Sequence, residues 1–257
     1  MKVTIIGAGN MGGAIARGLA KGTIINTAEI TVSDPSEPAL QALQKEYPDI
    51  NIMCDNKTAI VDADLIIVAV KPWLVKPVLA ELSLQPQQVL VSIAAGISFE
   101  QLVEYTALPE QTMFRLIPNT AISQLESMTL IASYKATPVH EKLLIDIFNE
   151  MGMAMMVPES QLAATTALTS CGIAYVLKYI QAAMQAGVEM GLYPKDAQRM
   201  VAQSVKGAAS LILNNDTHPS IEIDKVTTPG GITIKGINEL EHAGFTSAII
   251  KAMKASR

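Results

Sequence analysis

The sequence is poor in the residue types on which several classes of protein depend. It has 257 residues but only two cysteines, three histidines and one tryptophan. Cys54 and Cys171 lack the spacing of metal ligands and suggest no disulfide framework, which suits a reducing compartment. The histidines, His140, His218 and His242, are scattered, and none pairs with a carboxylate in a convincing acid–base arrangement. We therefore predict no metal site and no histidine-based catalysis.

Basic stretches and long apolar runs are also missing. Because the net charge is −5 and no segment is strongly basic, nucleic acid is not an expected partner. No apolar run approaches the length that spans a membrane. The glycine-rich stretch 7–13 interrupts the apolar start, which argues against a signal peptide. The expectation is a cytoplasmic protein without a membrane or nucleic-acid partner.

The sequence does contain a strand–turn–helix pattern at its start. Val3–Ile6 is a short apolar run, and Gly7-Ala-Gly-Asn-Met-Gly12 follows it. A helical pattern comes next, in which Met11, Ile15 and Leu19 fall on one face. Such a unit is typical of a dinucleotide site, because the free amides at the start of the helix hold phosphates.

Each glycine of the turn has a distinct expected role. Gly7 allows the tight turn, Gly9 lets a pyrophosphate approach the backbone, and Gly12 lets the helix pack closely on the strand. Asp34 ends the next predicted strand about twenty residues further on, where a ribose hydroxyl would be bound. The alternative interpretation is an ordinary turn in an α/β domain.

The periodicity of the chain divides it into two parts. Residues 1–157 alternate predicted strands and helices, which indicates a mostly parallel sheet covered on both faces. Residues 158–257 show only helical periodicity, and one predicted helix runs from Pro158 to about Gly191. Since that helix is apolar most of the way round, it must be buried on several sides. An obligate dimer interface would account for this apolar surface.

Further candidate residues follow the predicted strands, at the edge where open α/β sheets bind ligands. Val70, Lys71 and Pro72 follow the most apolar strand, and Ala94 follows another strand within a run of small residues. Lys71 is either the charge nearest to a nicotinamide or a solvated loop lysine. Arg115 either contacts a substrate or belongs to a buried ion pair.

A second informative stretch lies in the helical part, where Val226-Thr-Thr-Pro-Gly-Gly-Ile-Thr233 precedes a helical pattern. Gly230 and Gly231 form a turn, and the helix after it offers free amides to an anion. The hydroxyls of Thr228 and Thr233 add further hydrogen-bonding groups. The stretch is therefore a candidate site for a small carboxylate, although a plain turn between helices is the alternative.

Together these stretches make the sequence resemble the pyrroline-5-carboxylate reductases over essentially its whole length. The segments that carry the resemblance are Gly7-Ala-Gly-Asn-Met-Gly12, Val70-Lys-Pro72, Ser92-Ile-Ala-Ala-Gly-Ile97, Arg115-Leu-Ile-Pro-Asn-Thr120, Gln185-Ala-Gly-Val-Glu-Met-Gly-Leu192 and Val226-Thr-Thr-Pro-Gly-Gly-Ile-Thr233. The last segment is the most specific, because the others occur partly in related reductases.

The resemblance implies a fold, a reaction and a set of site residues. The fold would be an N-terminal Rossmann domain with an all-helical C-terminal dimerisation domain, and the reaction hydride transfer from NADPH or NADH to a cyclic imino acid, giving L-proline. The assembly would be a homodimer or a larger assembly of dimers. The expected cofactor residues are Gly7, Gly9, Asn10, Met11, Gly12, Ser33, Asp34, Val70, Lys71, Pro72 and Ala94. The expected substrate residues are Asp216, Thr228, Gly230, Gly231, Ile232 and Thr233, and Thr233 and Lys71 are the catalytic candidates.

Two departures from the family pattern lead to predictions. Ser33-Asp34 replaces an Asn-Arg pair that suits a 2′-phosphate, and a carboxylate repels a phosphate but accepts hydrogen bonds from a ribose diol. We therefore expect a preference for NADH, with NADPH still accepted. Gly172-Ile173-Ala174 stands where the family usually has Gly-Pro-Ala, and the loss of the proline at residue 173 predicts a locally straighter helix.

Two other functions stay open at this point. One is a related two-domain reductase of a 3-hydroxy acid or of another cyclic imine, and the other is a nucleotide-sensing protein without catalysis. Hydroxy-acid enzymes of this type normally need a lysine in the helical domain as a proton donor. Lys178 is the only lysine of the long predicted helix, so replacing it discriminates between the mechanisms.

Overall fold

The short apolar runs of the first part of the chain become the strands of one sheet. The computed structural model describes residues 1–257 and divides into two compact units, Met1–Ser170 and Cys171–Arg257. The eight strands are β1 (Val3–Ile6), β2 (Ile30–Ser33), β3 (Asn51–Met53), β4 (Leu65–Val68), β5 (Val89–Ser92), β6 (Met113–Ile117), β7 (Ser127–Tyr134) and β8 (Gly152–Met156).

Helices connect most of these strands. They are α1 (Asn10–Lys21), α2 (Glu37–Glu46), α3 (Asn56–Ala59), α4 (Pro72–Glu81), α5 (Phe99–Thr106), α6 (Pro138–Asn149) and α7 (Leu162–Thr166). Proline at the first or second position starts α2, α4 and α6, because its fixed φ angle suits a helical start and its missing N–H costs nothing there. Ser98 starts α5 by accepting a hydrogen bond from the Gln101 amide.

The strand order of the sheet is β3-β2-β1-β4-β5-β6-β7-β8. All neighbouring pairs are parallel except β6 and β7. The chain builds the sheet outward from β1 to β3, and then starts again with β4 on the other side of β1. This reversal opens a crevice at the carboxyl ends of β1 and β4, where doubly wound sheets bind ligands. The predicted mostly parallel, doubly wound sheet is confirmed.

The apolar core lies on both faces of the sheet. Ile5 of β1 and Ile67 of β4 face a layer that includes α1, α2 and α6. Ile6 and Val68, one residue further along each strand, face a second layer that includes α4 and α5. Every residue of β4 is buried, which explains why a buried parallel strand is apolar without alternation. Burial of each such side chain stabilises the fold by about 1.5–3 kcal/mol.

The predicted single helix from Pro158 to Gly191 is wrong, because the segment is interrupted. A 3₁₀ turn at Glu159–Gln161 precedes α7, and the π-helical segment Ala167–Cys171 follows it. The hydroxyls of Thr165, Thr166 and Thr169 each donate to the carbonyl four residues back. Such bonds compete for the carbonyls of the helix and loosen its regular ladder. The expected straighter helix around Ile173 therefore holds only from Gly172 onward, and the turn directly before it, Ala167–Cys171, is π-helical.

The second unit consists of helices alone, as the periodicity predicts. They are α8 (Gly172–Glu189), α9 (Pro194–Asn215), α10 (Pro219–Val226), α11 (Ile232–His242) and α12 (Phe245–Ala255). Helices α8 and α9 pack together where Gly187 meets Ala197, since a Cβ at residue 187 would lie 3.1 Å from that of Ala197. None of the helices is long and apolar enough to cross a membrane.

The second unit leaves most of its large apolar side chains exposed in the single chain. Its only buried helical residues are Gly172, Gly187 and Ala197. The exposed side chains include Val176, Leu177, Tyr179, Val188, Met200 and Leu213. Exposed apolar surface of this extent marks an interaction site. The division between the two compact units falls after residue 170. The predicted boundary after residue 157 stays a prediction.

Candidate active site

The turn between β1 and α1 needs glycine at two positions for the protein's own packing. Gly7 has a φ angle of +110°, and a Cβ there would lie 2.7 Å from the Ala69 carbonyl oxygen. A Cβ at Gly12 would lie only 1.9 Å from the Gly7 carbonyl oxygen. Any side chain at either position would push the helix away from the sheet. These contacts are those expected of a tight turn and of close helix–strand packing.

Gly9 differs from its two neighbours, because a Cβ there would meet no protein atom within 4 Å. Gly9 is also the N-cap of α1, and no side chain caps the helix. The first amides of α1 therefore have no acceptor within the helix. Open space beside uncapped amides at a positive helix end fits the phosphates of a dinucleotide.

A cavity of about 940 Å³ extends from this turn along the carboxyl edge of the sheet. Its volume lies in the upper range of ligand pockets. Of the eleven predicted cofactor residues, ten line the cavity and only Gly12 does not. Those ten are Gly7, Gly9, Asn10, Met11, Ser33, Asp34, Val70, Lys71, Pro72 and Ala94.

At one end of the cavity, backbone amides hold the Asp34 carboxylate in a fixed orientation. Its Oδ2 accepts from the Ala8 amide at 2.7 Å, and its Oδ1 accepts from the Ser36 amide at 2.8 Å. The first bond also ties the glycine turn to the end of β2. A fixed carboxylate beside the turn presents its remaining lone pairs to hydroxyl donors.

Cys54 and Asn56 also line this end, although no sequence pattern predicts them there. The Ser33 hydroxyl donates to the Asn56 Oδ1 at 2.7 Å. Asp55 between them caps α3, and hydrogen bonds from the hydroxyl and amide of Thr58 lower the pKa of Asp55. Cys54 and Asn56 could be placed here only with the strand order known, because β3 lies next to β2 and ends at the same edge of the sheet.

Small and apolar residues line the other end of the cavity. They include Ala94 after β5, together with Ile117 and Pro118 at the end of β6. Lys71 is the N-cap of α4, and its exposed side chain makes no hydrogen bond. Thr166 and Ser170 also line this end, and no sequence pattern predicts them there either. A flat ring fits between such small residues.

Arg115 lies outside the cavity lining and forms an ion pair. Its Nη1 is 2.7 Å from the Glu159 Oε1, and its side chain is only 10% exposed. The Phe99 amide donates to the same carboxylate oxygen at 2.7 Å. Of the two interpretations of Arg115, the structure therefore supports the ion pair.

The predicted substrate residues all lie in the second unit. Gly230 has a φ angle of +74°, and Gly231 is the N-cap of α11 without a side-chain cap. The Gly231 amide donates to the Thr228 carbonyl at 2.9 Å, which closes the turn. Ile232 is 87% exposed, and Thr233 is exposed beside it. The first amides of α11 are thus accessible to an anion.

No side-chain hydrogen bond links Asp216 to the turn before α11. Asp216 ends α9 in the left-handed conformation with a φ angle of +49°, and its exposed side chain makes no hydrogen bond. The assignment of Asp216 to the substrate therefore stays a prediction.

Comparison with known proteins places the chain among enzymes. Residues 159–257 match the family described as pyrroline-5-carboxylate reductase dimerisation, and residues 2–96 match the family described as NADP oxidoreductase, coenzyme F420-dependent. The pyrroline-5-carboxylate reductase of Methanosarcina acetivorans is 37% identical over 100% of this chain and 97% of its own length. Pyrroline-5-carboxylate reductase 1 of Dictyostelium discoideum is 36% identical over 99% of this chain, which spans 48% of that protein.

A solved structure agrees with these relatives. The pyrroline carboxylate reductase of Plasmodium falciparum, crystallised with NADP bound, superposes with a TM-score of 0.88 at 29% identity. The match covers 100% of this chain and 95% of that one. The fold and the cavity thus define an NAD(P)-dependent oxidoreductase with a helical second domain. Within that class, the chain belongs to the pyrroline-5-carboxylate reductase family.

Proposed function

We propose that this chain reduces 1-pyrroline-5-carboxylate to L-proline by hydride transfer from NADH or NADPH. The observation that carries the proposal is the glycine turn with its adjoining cavity, in a chain 37% identical to a pyrroline-5-carboxylate reductase over its full length. When bound, the nicotinamide cofactor supplies the hydride to the imine carbon. A protonated imine is already electrophilic, so the protein mainly has to position the two reactants.

The residues that line the cavity fit the parts of such a cofactor. The uncapped amides of Asn10 and Met11 would hold the pyrophosphate beside Gly9, whose missing Cβ leaves the space open. Asp34 and Ser33 would hold the adenosine ribose. Val70, Lys71, Pro72 and Ala94 would lie along the nicotinamide, where Lys71 is the candidate catalytic charge.

The turn before α11 would hold the substrate. The amides from Gly230 to Thr233 and the Thr233 hydroxyl would bind the carboxylate, with Thr228 adjacent to them. Asp216 would lie near the ring nitrogen, because a negative charge there favours the protonated imine. Hydrogen bonds to a charged group contribute about 1.5–3 kcal/mol each.

The fixed carboxylate of Asp34 supports a preference for NADH. It accepts hydrogen bonds from the Ala8 and Ser36 amides, so it cannot easily turn away from a bound ribose. A 2′-phosphate at this position would meet a negative charge, whereas a ribose diol would donate hydrogen bonds to it. A higher kcat/KM with NADPH than with NADH would contradict this preference.

We also propose that the chain works as a homodimer, or as a larger assembly of dimers, in the cytoplasm. The exposed apolar side chains of α8 and α9 support an assembly. The family model that matches residues 159–257 is described as a dimerisation region. Residues 1–157 would then form the cofactor domain, and residues 158–257 the substrate-binding and dimerisation domain.

A direct assay tests the proposed reaction. Purified protein is mixed with 1-pyrroline-5-carboxylate and either NADH or NADPH, and the oxidation of each cofactor is followed by absorbance. Turnover should appear with the wild type, and Thr233→Ala should lose about ten- to one-hundredfold in kcat/KM because one bond to the carboxylate is removed. Thr227→Ala is the matched control, since that hydroxyl bonds only to carbonyls of the preceding helix, α10. A folded protein that binds either nucleotide but oxidises neither would contradict the proposal.

A further inference from the structure

Ser170 lies at the end of the cavity that is farthest from Asp34 along the sheet. Asp34 follows β2, and Pro118, which contacts Ser170, follows β6. Four strand spacings separate β2 from β6 in the order of the sheet, which corresponds to about 19 Å. A dinucleotide bound with its adenosine at Asp34 therefore reaches Ser170 with its nicotinamide end.

The Ser170 hydroxyl is committed as a donor and is free only as an acceptor. Its Oγ donates to the Pro118 carbonyl oxygen at 3.1 Å. A hydroxyl has one proton and two lone pairs, so an oxygen whose proton is engaged presents lone pairs alone. The neighbouring Thr166 hydroxyl is in the same state, since it donates to the Leu162 carbonyl. This end of the cavity thus presents two hydroxyl oxygens as hydrogen-bond acceptors, and a ligand that binds there should supply an N–H donor.

Two hydrogen bonds hold the Ser170 oxygen in place. Besides the bond from Ser170 to Pro118, the Asn119 side-chain amide donates to the Thr169 carbonyl at 3.2 Å. Both bonds join the π-helical segment Ala167–Cys171 to the loop after β6. The preceding hydroxyl of the segment, that of Thr169, instead donates to the Thr165 carbonyl. The Ser170 acceptor is therefore preorganised before any ligand arrives.

We infer that the Ser170 oxygen accepts a hydrogen bond from the carboxamide amino group of the nicotinamide and thereby sets the orientation of the ring. This inference rests on the proposed function. The carboxamide is the group of the nicotinamide that carries N–H donors. Apart from Thr166, the remaining side chains at this end, such as Ala94, Ile117 and Pro118, offer no acceptor. Fixing the carboxamide fixes which face of the ring is turned to the substrate.

Removing the two partners of this bond separately tests the inference. Binding of NAD⁺ and of its 3-acetylpyridine analogue, in which a methyl group replaces the amino group, is measured by calorimetry without substrate. The wild type should bind NAD⁺ about three- to tenfold more tightly than the analogue, the size of one net hydrogen bond. In Ser170→Ala the ratio of the two dissociation constants should fall to about one.

Two control variants keep the test decisive. Ser170→Thr keeps a hydroxyl and should keep a ratio close to that of the wild type, and Thr169→Val removes the neighbouring hydroxyl and should leave the ratio unchanged. Circular dichroism and Tm confirm that each variant is folded. If Ser170→Ala keeps the wild-type ratio, the inference is overturned. A wild type that binds both dinucleotides equally would overturn only the role of Ser170, whereas one that binds neither would contradict the proposed function.

Discussion

The two units of this chain bury their apolar side chains to very different extents. In the first unit, every residue of β1, β4, β5 and β6 is buried between two layers of helices. In the second unit, the helical residues that are buried are two glycines and one alanine. The first unit thus has a complete core of its own, while the second unit needs an additional surface to cover its helices.

The contrast also separates the two kinds of candidate site. The first unit encloses the cavity that would hold the cofactor, and its hydrogen bonds fix the lining residues in place. The turn before α11 in the second unit is exposed in the single chain. A site that depends on an uncovered unit is expected to depend on assembly as well.

The largest effect is expected from a charge on the uncovered face of α8. Leu177 is 57% exposed, and Leu177→Asp places a carboxylate where we propose that a partner packs. Two-fold symmetry introduces the charge twice in each dimer, and burying an unpaired charge is strongly unfavourable. We expect a monomer by analytical ultracentrifugation and a loss of activity of more than about one-hundredfold.

A matched variant in the first unit sharpens this comparison. Val61 is 67% exposed, so Val61→Asp should change neither the assembly nor the Tm. An assembly that survives Leu177→Asp would show that the apolar face of α8 is covered by something other than a partner chain.

The next effect concerns the two glycines of the first turn. Gly12→Ala should destabilise the first unit, because its Cβ would overlap the Gly7 carbonyl; overpacking of this kind costs about 1–3 kcal/mol or more. Gly9→Ala should keep the wild-type free energy of unfolding but weaken dinucleotide binding at least about tenfold, because its Cβ meets only ligand space. Urea unfolding and calorimetric titration measure the two quantities. Equal loss of stability in both variants would contradict the distinction.

A smaller effect is expected from Glu150, which holds the loop after α1. Its carboxylate accepts from the Thr23 hydroxyl and amide and from the Ile24 amide. Burial opposes ionisation, but these hydrogen bonds outweigh it and lower the pKa of Glu150 below its usual value of 4.5. The stabilisation is therefore complete above that value and is lost as the pH falls through the lowered pKa.

Removing the charge of Glu150 should reproduce this loss at neutral pH. Glu150→Gln should lower the free energy of unfolding by about 1.5–3 kcal/mol at pH 7. Below pH 4.5 its difference from the wild type should narrow. A constant difference between pH 7 and pH 3 would show that the charge is not what stabilises the loop.

The smallest effect is expected from Lys178 on α8. Its Nζ donates to the Gln181 Oε1 at 2.9 Å on the same exposed face. Lys178→Ala should leave kcat within about twofold of the wild type, since surface substitutions change little. A loss of one-hundredfold or more, the size typical of a missing general acid, would favour the mechanism of the hydroxy-acid reductases.

Local patterns predicted most of the first unit because each strand there is a short apolar run between turn residues. Val3–Ile6 is predicted and observed with the same bounds, and the apolar runs 64–70 and 88–93, each predicted as a strand, contain β4 and β5. The roles of Gly7 and Gly12 were predictable because close backbone approaches exclude a Cβ. The antiparallel pairing of β6 with β7 gives no such local signal.

The features that the sequence did not predict depend on contacts between distant residues. Asn56 and Ser170 reach the cavity only because β3 lies beside β2 and the π-helical segment lies against the loop after β6. Helix α12 carries no strong start signal, and its existence was not predicted. The π-helical segment itself depends on hydroxyl groups that compete for backbone carbonyls, which apolar periodicity does not register.

The uneven burial of the two units has a consequence for the synthesis of the chain. Domains fold largely in the order in which they leave the ribosome. Here the self-sufficient unit emerges first, and the helices with the exposed apolar faces emerge last. The helices with exposed apolar faces are thus synthesised only after the first unit has been able to fold. The time that a single chain spends unassembled then depends on the concentration of identical chains. Strong dilution during refolding should therefore leave more single chains, which are prone to aggregate, and less assembled protein.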